Sequence, residues 1–168
     1  HLLMPRVTLT GSSGGSMEQK RAPVWGGRAW RQSVDKGCEF IGDVWGRSIL
    51  ELGSRDGDMA RYFARQGAHV LGVDTDAQAI PRATLLAQQA GLSAKCTFRH
   101  YSGNLDEIEG IFDVVFTKST LVLTDLPAIL PAIERKLKPG GRIAFIENGR
   151  GNWLMRMARR LAHPRWDY

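Results

Sequence analysis

ILELGSRDGD, residues 49–58, is the stretch that decides the fold of this chain. It begins as a short apolar run that contains an acid, Glu51, and continues as a turn framed by Gly53 and Gly57. A helical pattern starts at Asp58. A buried strand that turns sharply into a helix is typical of the first unit of a parallel sheet covered by helices. The turn therefore predicts an α/β domain with a ligand site at this strand end.

Apolar runs with strand character alternate with helical patterns through most of the chain. The predicted strands cover residues 48–52, 68–73, 95–100, 112–117 and 142–147. The predicted helices cover residues 58–66, 77–90 and 126–136. Gly67 and Gly91 are the expected C-terminal caps of the first two helices, and Asp125 is the expected N-cap of the third. Pro81 falls early in the second helix and should cost a hydrogen bond or bend its first turns.

Composition divides the chain into four segments. Residues 1–16 have the composition of a flexible leader, rich in glycine and serine. Residues 17–47 mix tryptophans with basic residues and predict an N-terminal helical cap over the edge of the sheet. Residues 48–148 form the predicted core, and residues 149–168, with five arginines against one acid, predict a basic amphipathic helix that ends the chain.

Several functional classes are excluded by composition. A chain of 168 residues is one domain, and it has neither an apolar run near the ~20 residues of a membrane helix nor the apolar core of a secretory signal. Cys38 and Cys96 have no metal or redox spacing, which predicts no metal site and a reduced, cytoplasmic setting. The net charge of +6 comes mostly from residues 149–168, so the rest of the domain has no broad positive field.

Two acids at neighbouring strand ends indicate the ligand. Asp74 ends the strand that follows the one carrying Glu51, where a carboxylate can accept hydrogen bonds from both hydroxyls of a ribose. A pyrophosphate would lie on the helix N-terminus, but Asp56 and Asp58 place negative charge there. These residues favour a phosphate-free ligand with an amine and a ribose, such as S-adenosylmethionine, over a nicotinamide dinucleotide. A bare strand-to-helix connection is the structural alternative for the glycine turn.

Four motifs follow one another along the chain: ELGSRDG at 51–57, GVD at 72–74, FDVVF at 112–116 and LKPGG at 137–141. In this order and spacing they resemble the motifs of class I S-adenosylmethionine-dependent methyltransferases, in the branch that acts on small molecules. The resemblance covers about residues 48–148. It implies a doubly wound, Rossmann-like α/β sheet, mostly parallel, with the strand order 3-2-1-4-5. It also implies S-adenosylmethionine as the cofactor and methyl transfer to a small metabolite, with oxygen as the first expectation for the acceptor atom.

The resemblance also implies roles for individual residues. Glu51 would reach the methionine amino group, Gly53 and Gly57 would frame the methionine moiety, and Asp74 would hold the ribose. The loop after the third strand would meet adenine. The candidate cofactor-binding residues are Glu51, Gly53, Ser54, Gly57, Asp74, Thr75, Ser102 and Thr117.

The chain departs from the family pattern at three points. Arg55 replaces a glycine commonly found between the two framing glycines, so its side chain should turn away from the ligand. The family often has an acid after the third strand to bind the adenine amine, whereas this chain has Ser102 and Asn104, or backbone amides, to make that contact. The family's sheet usually ends in a strand hairpin, and Tyr168 comes too soon to supply one, which indicates a fragment or a shorter sheet.

Methyl transfer from a sulfonium depends on alignment more than on acid–base chemistry, so no catalytic residue is assigned. Lys118 would oppose the charge of the cofactor and should point towards an acidic substrate or solvent. Residues 117–120 lack the Asn/Asp-Pro-Pro-aromatic motif of methyltransferases that act on nucleobase or glutamine amines. The predicted partner is therefore a small-molecule methyl acceptor and not a nucleic acid.

Three alternatives remain open at this point. The first is a nicotinamide-dependent oxidoreductase on a similar sheet, and the second is a truncated domain that binds cofactor without catalysis. The third is an RNA methyltransferase, motivated by the positive charge. A membrane surface or a lipid-linked substrate is a further partner for the apolar and arginine faces of Trp153–Arg165, although an ordinary helix after the fifth strand explains the same pattern.

Overall fold

The computed structural model describes residues 28–120 and 126–146. Its elements, in chain order, are α1 (Arg28–Ile41), β1 (Ser48–Leu52), α2 (Asp58–Arg65), β2 (His69–Asp74), α3 (Ala79–Gln89), β3 (Cys96–His100), a 3-10 turn (Leu105–Glu107), β4 (Phe112–Lys118), α4 (Leu126–Arg135) and β5 (Leu137–Ile146). The predicted leader, the predicted N-cap Asp125 and the segment Trp153–Arg165 lie outside the described residues.

The five strands form one parallel sheet in the order β3-β2-β1-β4-β5. This order confirms the predicted doubly wound, Rossmann-like fold. β1 is buried along almost its whole length, as expected for a central strand covered on both faces. The chain runs outward from β1 to β3 and then returns to place β4 on the other side of β1. The loops after β1 and β4 therefore separate and open a crevice at the carboxyl ends of these strands. The predicted lack of a terminal hairpin concerns residues outside the described ranges.

Two apolar layers cover the sheet. One lies under α1, α2 and α3 and includes Ile49 and Phe63. The other lies under α4 and the 3-10 turn and includes Leu50 and Leu105. Because successive strand residues face opposite sides of a sheet, Glu51 shares the α1–α2 side with Ile49. A carboxyl group is thereby directed into an apolar layer.

α1 packs against β5, an edge strand of the described sheet. A Cβ on Gly37 would lie 2.6 Å from Cδ1 of Ile146, so the missing side chain lets helix and strand approach closely. The Arg142 guanidinium donates hydrogen bonds to the backbone oxygens of Phe40 (2.6 Å) and Ile41 (3.0 Å). These bonds satisfy carbonyls at the end of the helix. α1 lies within the predicted N-terminal cap, whose bounds at 17 and 47 stay a prediction.

The C-terminal end of α2 confirms its predicted glycine cap. Gly67 has a left-handed backbone with φ of 94°. Its N–H donates to the carbonyl of Ala64, and the N–H of Ala68 donates to the carbonyl of Phe63. This pair of bonds is typical of the Schellman motif. Gly91, with φ of 69°, ends α3 in the same conformation.

The prediction that Pro81 breaks a hydrogen bond or bends the second predicted helix was wrong. α3 begins at Ala79, two residues later than predicted. Pro81 therefore lies in the first turn, where backbone N–H groups have no partner within the helix. The missing N–H removes no helical hydrogen bond at this position.

β5 begins earlier than predicted. Phe112 pairs with Leu137, whereas Val114 pairs with Arg142. The register shift leaves residues 138–141 as a bulge, in which Gly140 has a left-handed φ of 75°. The sequence pattern predicted only the part of the strand after the bulge, because the Pro-Gly-Gly run has the composition of a loop.

The described residues also test the exclusions made from composition. Among them, no helix is long and apolar enough to span a bilayer. In the same ranges, no three metal-binding side chains come together as a metal site would require. Cys38 and Cys96 are free thiols. Burial raises the pKa of the Cys96 thiol to about 12, which keeps it protonated and unreactive at neutral pH.

Candidate functional site

The predicted site residues lie at the carboxyl edge of the sheet, on several elements. Glu51 lies next to the end of β1, and Asp74 is the last residue of β2. Thr117 lies next to the end of β4, and Leu52 pairs with it across the sheet. Ser102 follows the end of β3. The fold therefore brings the ends of these strands together, as expected for a parallel sheet.

The backbone of the glycine turn is bonded to the end of β2. The N–H groups of Gly53 and Ser54 both donate to the carbonyl of Val73, at 2.8 and 3.1 Å. The next N–H, that of Arg55, donates to Oδ2 of Asp74 at 2.7 Å. A pyrophosphate site needs such N–H groups to be free for the phosphate oxygens. Three successive donors are therefore committed within the protein.

The acids at the start of α2 are paired with arginines. Asp58 accepts a hydrogen bond from Arg61 at 2.6 Å, and Asp56 forms an ion pair with Arg82 at an N···O distance of 3.1 Å. Both carboxylates are thereby partly neutralised, so their repulsion of a phosphate is weaker than the sequence predicts. The bonded N–H groups of Gly53, Ser54 and Arg55 disfavour a pyrophosphate at the turn itself, ahead of the start of α2.

Gly53 is covered by the segment that follows β4. Its φ is 71°, and a Cβ at this position would lie 2.1 Å from Oγ1 of Thr120. The Thr120 hydroxyl donates to the carbonyl of Leu52 at 3.1 Å, and Ser119 takes a left-handed backbone with φ of 58°. A strained residue at a strand end is often part of a functional site. Thr117 itself is fully buried, so it forms part of the floor of the crevice and not of its surface.

Gly57 is a glycine for a reason that the sequence does not reveal. A Cβ on Gly57 would lie 2.3 Å from Cζ of Phe98, a residue of β3. A Cβ on Gly72 would lie 2.7 Å from Cδ1 of the same ring. Both glycines therefore make room for Phe98 behind the turn, and the predicted framing of the methionine moiety by Gly57 stays a prediction. Only Gly53, of the two framing glycines, faces the strand-end side of the crevice where Thr120 lies.

Arg55 takes a conformation that suits glycine better. Its φ is 44°, in the left-handed region, and its side chain is exposed. The exposure agrees with the expectation that the side chain turns away from the ligand. A residue with a Cβ is strained by about 1–2 kcal/mol in this region.

Arg55→Gly is expected to raise the free energy of unfolding by about 0.5–1 kcal/mol. Relief of the left-handed strain gives the gain, and the greater freedom of glycine in the unfolded chain reduces it. Urea unfolding measures the change. Arg55→Ala removes the same charge but keeps the Cβ, so it should give no gain, and equal values for the two variants would contradict this explanation.

Glu51 is a buried carboxyl group without a full set of partners. It is 3% exposed, and its Oε2 atom has no hydrogen-bond partner among the described residues. Burial raises the pKa of Glu51 to about 8, although the charge of Lys118 and the N–H of Ala60 act in the opposite direction. The Lys118 ammonium thus acts on Glu51, and not only on substrate or solvent as predicted. The uncompensated oxygen is what a bound cation would satisfy.

Ser54 carries a second buried oxygen without a partner. The residue is 4% exposed, and its Oγ atom makes no hydrogen bond to any described residue. Buried polar atoms are nearly always bonded in proteins, so such atoms mark a place where a ligand or water completes the structure. Ser54 and Glu51 lie three residues apart, on either side of Gly53.

Asp74 holds the turn and remains able to accept further bonds. Its Oδ2 atom accepts from Arg55, and its Oδ1 atom accepts from the N–H of Asp76 at 2.9 Å. Each carboxylate oxygen can accept more than one hydrogen bond. Asp74 is not the N-cap of α3, because that helix is preceded by Gln78. Thr75, the next candidate, is exposed beside it.

The loop after β3 contains a residue that sequence reasoning missed. Ser102 is exposed, but its N–H donates to Oε2 of Glu107 at 3.0 Å and its hydroxyl donates to Oε1 of the same residue. The two donors that the sequence offered for adenine are therefore already bonded to a carboxylate. An acid that follows a serine by five residues in a loop is too weak a pattern to predict such a contact.

The acid of the FDVVF motif has a structural role. Oδ2 of Asp113 accepts from the N–H of Ser48 (2.8 Å), from its hydroxyl (2.7 Å) and from Lys138 (2.8 Å). Partial burial alone would raise the pKa of Asp113, but the bonds from Lys138 and Ser48 lower it to about 2. The motif thus joins the starts of β1 and β4 to the bulge of β5, at the edge opposite to the site.

The sequence profile of the methyltransferase domain family matches residues 50–145. The chain belongs to this family. The match covers the glycine turn, both strand-end acids and the described part of the sheet up to Phe145. Together with the observed strand order, it confirms the resemblance to class I S-adenosylmethionine-dependent methyltransferases.

Curated relatives of this methyltransferase domain include ubiquinone biosynthesis O-methyltransferases. The protein of Pectobacterium atrosepticum is 29% identical over 115 residues, which are 67% of this chain and 48% of the relative. The protein of Sodalis glossinidius is 32% identical over 125 residues, or 73% of this chain and 50% of the relative. The chain therefore spans about half the length of the curated relatives it matches.

The solved structures that share this fold include proteins named as methyltransferases and one named as a cyclase. An S-adenosylmethionine-dependent methyltransferase of Mesorhizobium loti is 25% identical, with a TM-score of 0.58 over 71% of this chain and 53% of its own. The [4+2]-cyclase SpnF is also 25% identical, with a TM-score of 0.59 over 67% of this chain and 42% of its own. A methyltransferase of Thiobacillus denitrificans, in complex with S-adenosylhomocysteine, is 20% identical with a TM-score of 0.57 over 67% of this chain and 46% of its own, which shows the fold alone.

Proposed function

We propose that this methyltransferase domain binds S-adenosylmethionine and transfers its methyl group to an oxygen atom of a small-molecule acceptor. The observation that carries the proposal is the pair of acids on either side of the glycine turn. Glu51 offers an unbonded carboxyl oxygen in an apolar layer, and Asp74 offers a carboxylate at the end of the next strand. This arrangement fits a ligand with an ammonium group at one end and a ribose beside it.

The residues present fit the cofactor at two points. The orphaned Oε2 of Glu51 can accept from the ammonium of the methionine moiety, which also compensates the buried charge. The carboxylate of Asp74 retains lone pairs for ribose hydroxyls. The absence of a side chain at Gly53, where a Cβ would meet Thr120, lets the segment after β4 lie against the turn. Ser54, Gly57, Thr75, Ser102 and Thr117 complete the proposed set, as ligands or as supports of the turn and floor.

S-adenosylmethionine, when bound, would supply a methyl group on a sulfonium: an acceptor oxygen would bond to the methyl carbon as the carbon–sulfur bond breaks in line, and S-adenosylhomocysteine would leave as a neutral thioether. The part of this chain is to orient the reactants and to exclude water, since alignment alone can supply a large share of the acceleration. A hydroxyl acceptor also loses its proton in this reaction, and no described residue is assigned as the base that takes it. An oxygen acceptor is supported by the curated relatives, which are named O-methyltransferases.

Specific observations distinguish the alternative functions from methyl transfer. A nicotinamide dinucleotide would need free N–H groups at the turn, and those of Gly53, Ser54 and Arg55 are bonded to β2. A domain that binds the cofactor without methyl transfer is supported by the likeness to a [4+2]-cyclase and stays the second candidate. Three statements stay predictions from the sequence: that the acceptor is not a nucleic acid, that a membrane surface or lipid-linked substrate is an alternative partner of Trp153–Arg165, and that the location is cytoplasmic.

Transfer of a labelled methyl group tests the proposed function. The 168-residue chain is incubated with S-adenosylmethionine labelled in the methyl group and with a set of small phenols and amines. Label in an ether product supports O-methylation, and label in an amine product corrects the acceptor atom. A protein that binds S-adenosylhomocysteine but labels no acceptor supports the second candidate instead.

A further inference from the structure

The carboxyl group of Glu51 is enclosed in the protein without a counter-charge. The residue is 3% exposed, and its side chain lies on the face of the sheet that α1 and α2 cover. The ion pairs formed among the described residues all involve other acids. An isolated carboxylate in such a place is so costly that the group keeps its proton instead. Glu51 is therefore neutral in the free protein at neutral pH.

The charged side chains around Glu51 do not reverse this effect. Asp58 on α2 raises the pKa of Glu51, whereas Arg61 on the same helix and Lys118 on β4 lower it. Burial is the largest of these influences and raises the pKa to about 8. β2 contributes no charge, since Glu51 pairs there with Gly72. A cation that binds beside Glu51 would therefore remove its proton.

Two buried thiols on neighbouring elements are affected by the same charges. Cys96, on β3, is affected by Glu51, and Cys38, on α1, is affected by Lys118. Burial raises the pKa of Cys96 to about 12 and the pKa of Cys38 to about 11, so both thiols stay protonated at neutral pH. A proton released near neutral pH would therefore come from Glu51 and not from either thiol.

The hydroxyl of Ser54 lies on the same face of the sheet, beside Glu51. Because Glu51 and Gly72 pair in register, their Cβ positions point to one face. A Cβ on Gly72 would lie 2.9 Å from the Cβ of Ser54, which places the serine side chain about one strand spacing, roughly 5 Å, from Glu51. The Ser54 hydroxyl has no partner among the described residues. It is therefore a donor that an ionised Glu51 could use.

The start of α2 also favours a negative charge at Glu51. The N-cap residue of this helix is Gly57, which has no side chain to cap it. The N–H of Ala60, in the first turn, donates to the Glu51 carboxyl and lowers its pKa. Unpaired N–H groups and the helix dipole stabilise an anion at this end of a helix. An ionised Glu51 would thus have one donor on α2 and another at Ser54.

We propose that the ammonium group of the cofactor displaces the proton of Glu51 when it binds, and that the Ser54 hydroxyl donates to the carboxylate that results. The inference rests on the proposed function. The O–H bond of the Glu51 carboxyl breaks, its proton goes to solvent, and the ammonium group keeps all of its hydrogens. Each molecule that binds therefore releases one proton. Ser54 acts through Glu51 and is a positioning residue.

The affinity for the ligand must then increase with pH. Below the pKa of Glu51, a higher pH makes its proton easier to displace, so affinity should rise about tenfold per unit between about pH 5.5 and pH 7.5. Above the pKa, Glu51 is already ionised in the free protein, and the rise ends. A site in which Glu51 is charged throughout would show no such dependence.

Calorimetry on the intact chain counts the released protons without any measurement of activity. S-adenosylhomocysteine is titrated at about pH 7 in phosphate and in Tris, whose ionisation enthalpies differ, and the difference in the measured heat gives the proton number. Close to one proton is expected per molecule bound. Methylthioadenosine has the nucleoside but not the amine, so it is the matched control ligand and should release none.

Two variants locate the proton and its partner. Glu51→Gln should release no proton, and its affinity should not depend on pH. Ser54→Ala should lower the affinity about tenfold near pH 6, where the carboxylate forms only on binding, and by much less above about pH 8. Ser93→Ala, an exposed serine before β3, is the control and should match the unmodified protein. If Glu51→Gln binds too weakly to titrate, the proton number of the unmodified protein and the pH profile of Ser54→Ala decide.

The inference and the proposed function fail in different ways. Binding of S-adenosylhomocysteine without proton release, or a release that persists in Glu51→Gln, overturns the inference and leaves the proposed function in place. An equal loss of affinity for Ser54→Ala at low and high pH overturns the role of Ser54, because a serine that only supports the turn would act at every pH. A protein that binds no S-adenosylhomocysteine at any pH overturns the proposed function itself.

Discussion

Glu51→Gln is expected to stabilise the protein at alkaline pH and to weaken its binding of S-adenosylhomocysteine. The pKa of Glu51 is raised from 4.5 to about 8 by burial, so between these values the folded protein binds more protons than the unfolded chain. Stability must then fall as the pH rises through this window. The glutamine variant keeps an acceptor for the N–H of Ala60 but has no proton to lose.

The stability gain of Glu51→Gln should therefore depend on pH. It is expected to be near zero below about pH 4.5 and to reach on the order of 3–5 kcal/mol above about pH 8. Urea unfolding at several pH values measures it. The same variant lacks the carboxylate charge that would face the ammonium group of the ligand. Its affinity for S-adenosylhomocysteine should therefore be lower by at least about tenfold.

An exposed acid provides the control for Glu51. Glu109→Gln removes a carboxyl in the loop before β4, on the surface, and should change neither stability nor affinity. A gain for Glu51→Gln that is the same at low and high pH would contradict the assigned burial cost. Unchanged affinity would remove Glu51 from the site and leave it a purely structural acid.

Asp74→Asn is expected to damage both the turn and the site. Both oxygens of Asp74 accept from backbone N–H groups, those of Arg55 and Asp76, and an amide nitrogen in place of one oxygen leaves a buried donor facing a donor. This should cost about 1–3 kcal/mol of stability. Loss of the charged acceptor for the ribose hydroxyls should weaken the binding of S-adenosylhomocysteine by roughly 10–100-fold.

Asp76→Asn separates the two roles of Asp74. Asp76 is exposed, and among the described residues its side chain accepts only from the N–H of Gln78, so its change should leave affinity nearly intact. Calorimetry and chemical unfolding on both variants give the comparison. Equal losses of affinity at the two positions would mean that the loop after β2, and not the Asp74 carboxylate, is what the nucleoside requires.

The sequence predicted the sheet because its signals are local. The apolar runs, the left-handed glycines at 67 and 91 and the acids at strand ends are each visible within a few residues, and the strand order follows from their succession and from the family resemblance. Glu51 was predicted to lie at the end of a buried strand, and the structure adds that its Oε2 atom lacks a partner. Pro81 was misjudged because the start of α3 was placed two residues too early.

Contacts between distant segments could not be predicted in this way. The ring of Phe98 explains Gly57 and Gly72, but it comes from a strand separated from both in the sequence. The carboxylate of Glu107 reaches Ser102 only because a 3-10 turn folds back on the loop. The acids at the start of α2 were also misjudged from their charge alone. Asp58 is paired with Arg61 one helical turn away, which the spacing could have indicated, whereas Asp56 is paired with Arg82 of α3, which it could not.

The N–H groups of Gly53, Ser54 and Arg55 are bonded to β2. We therefore expect this site to bind S-adenosylhomocysteine and not a dinucleotide, although both ligands bind to similar sheets. Competition calorimetry on the intact chain tests it most directly, with S-adenosylhomocysteine and NAD titrated separately and then together. Saturable binding of S-adenosylhomocysteine that NAD neither matches nor displaces is the predicted result. Binding of NAD that excludes S-adenosylhomocysteine would show that the turn accommodates a pyrophosphate after all.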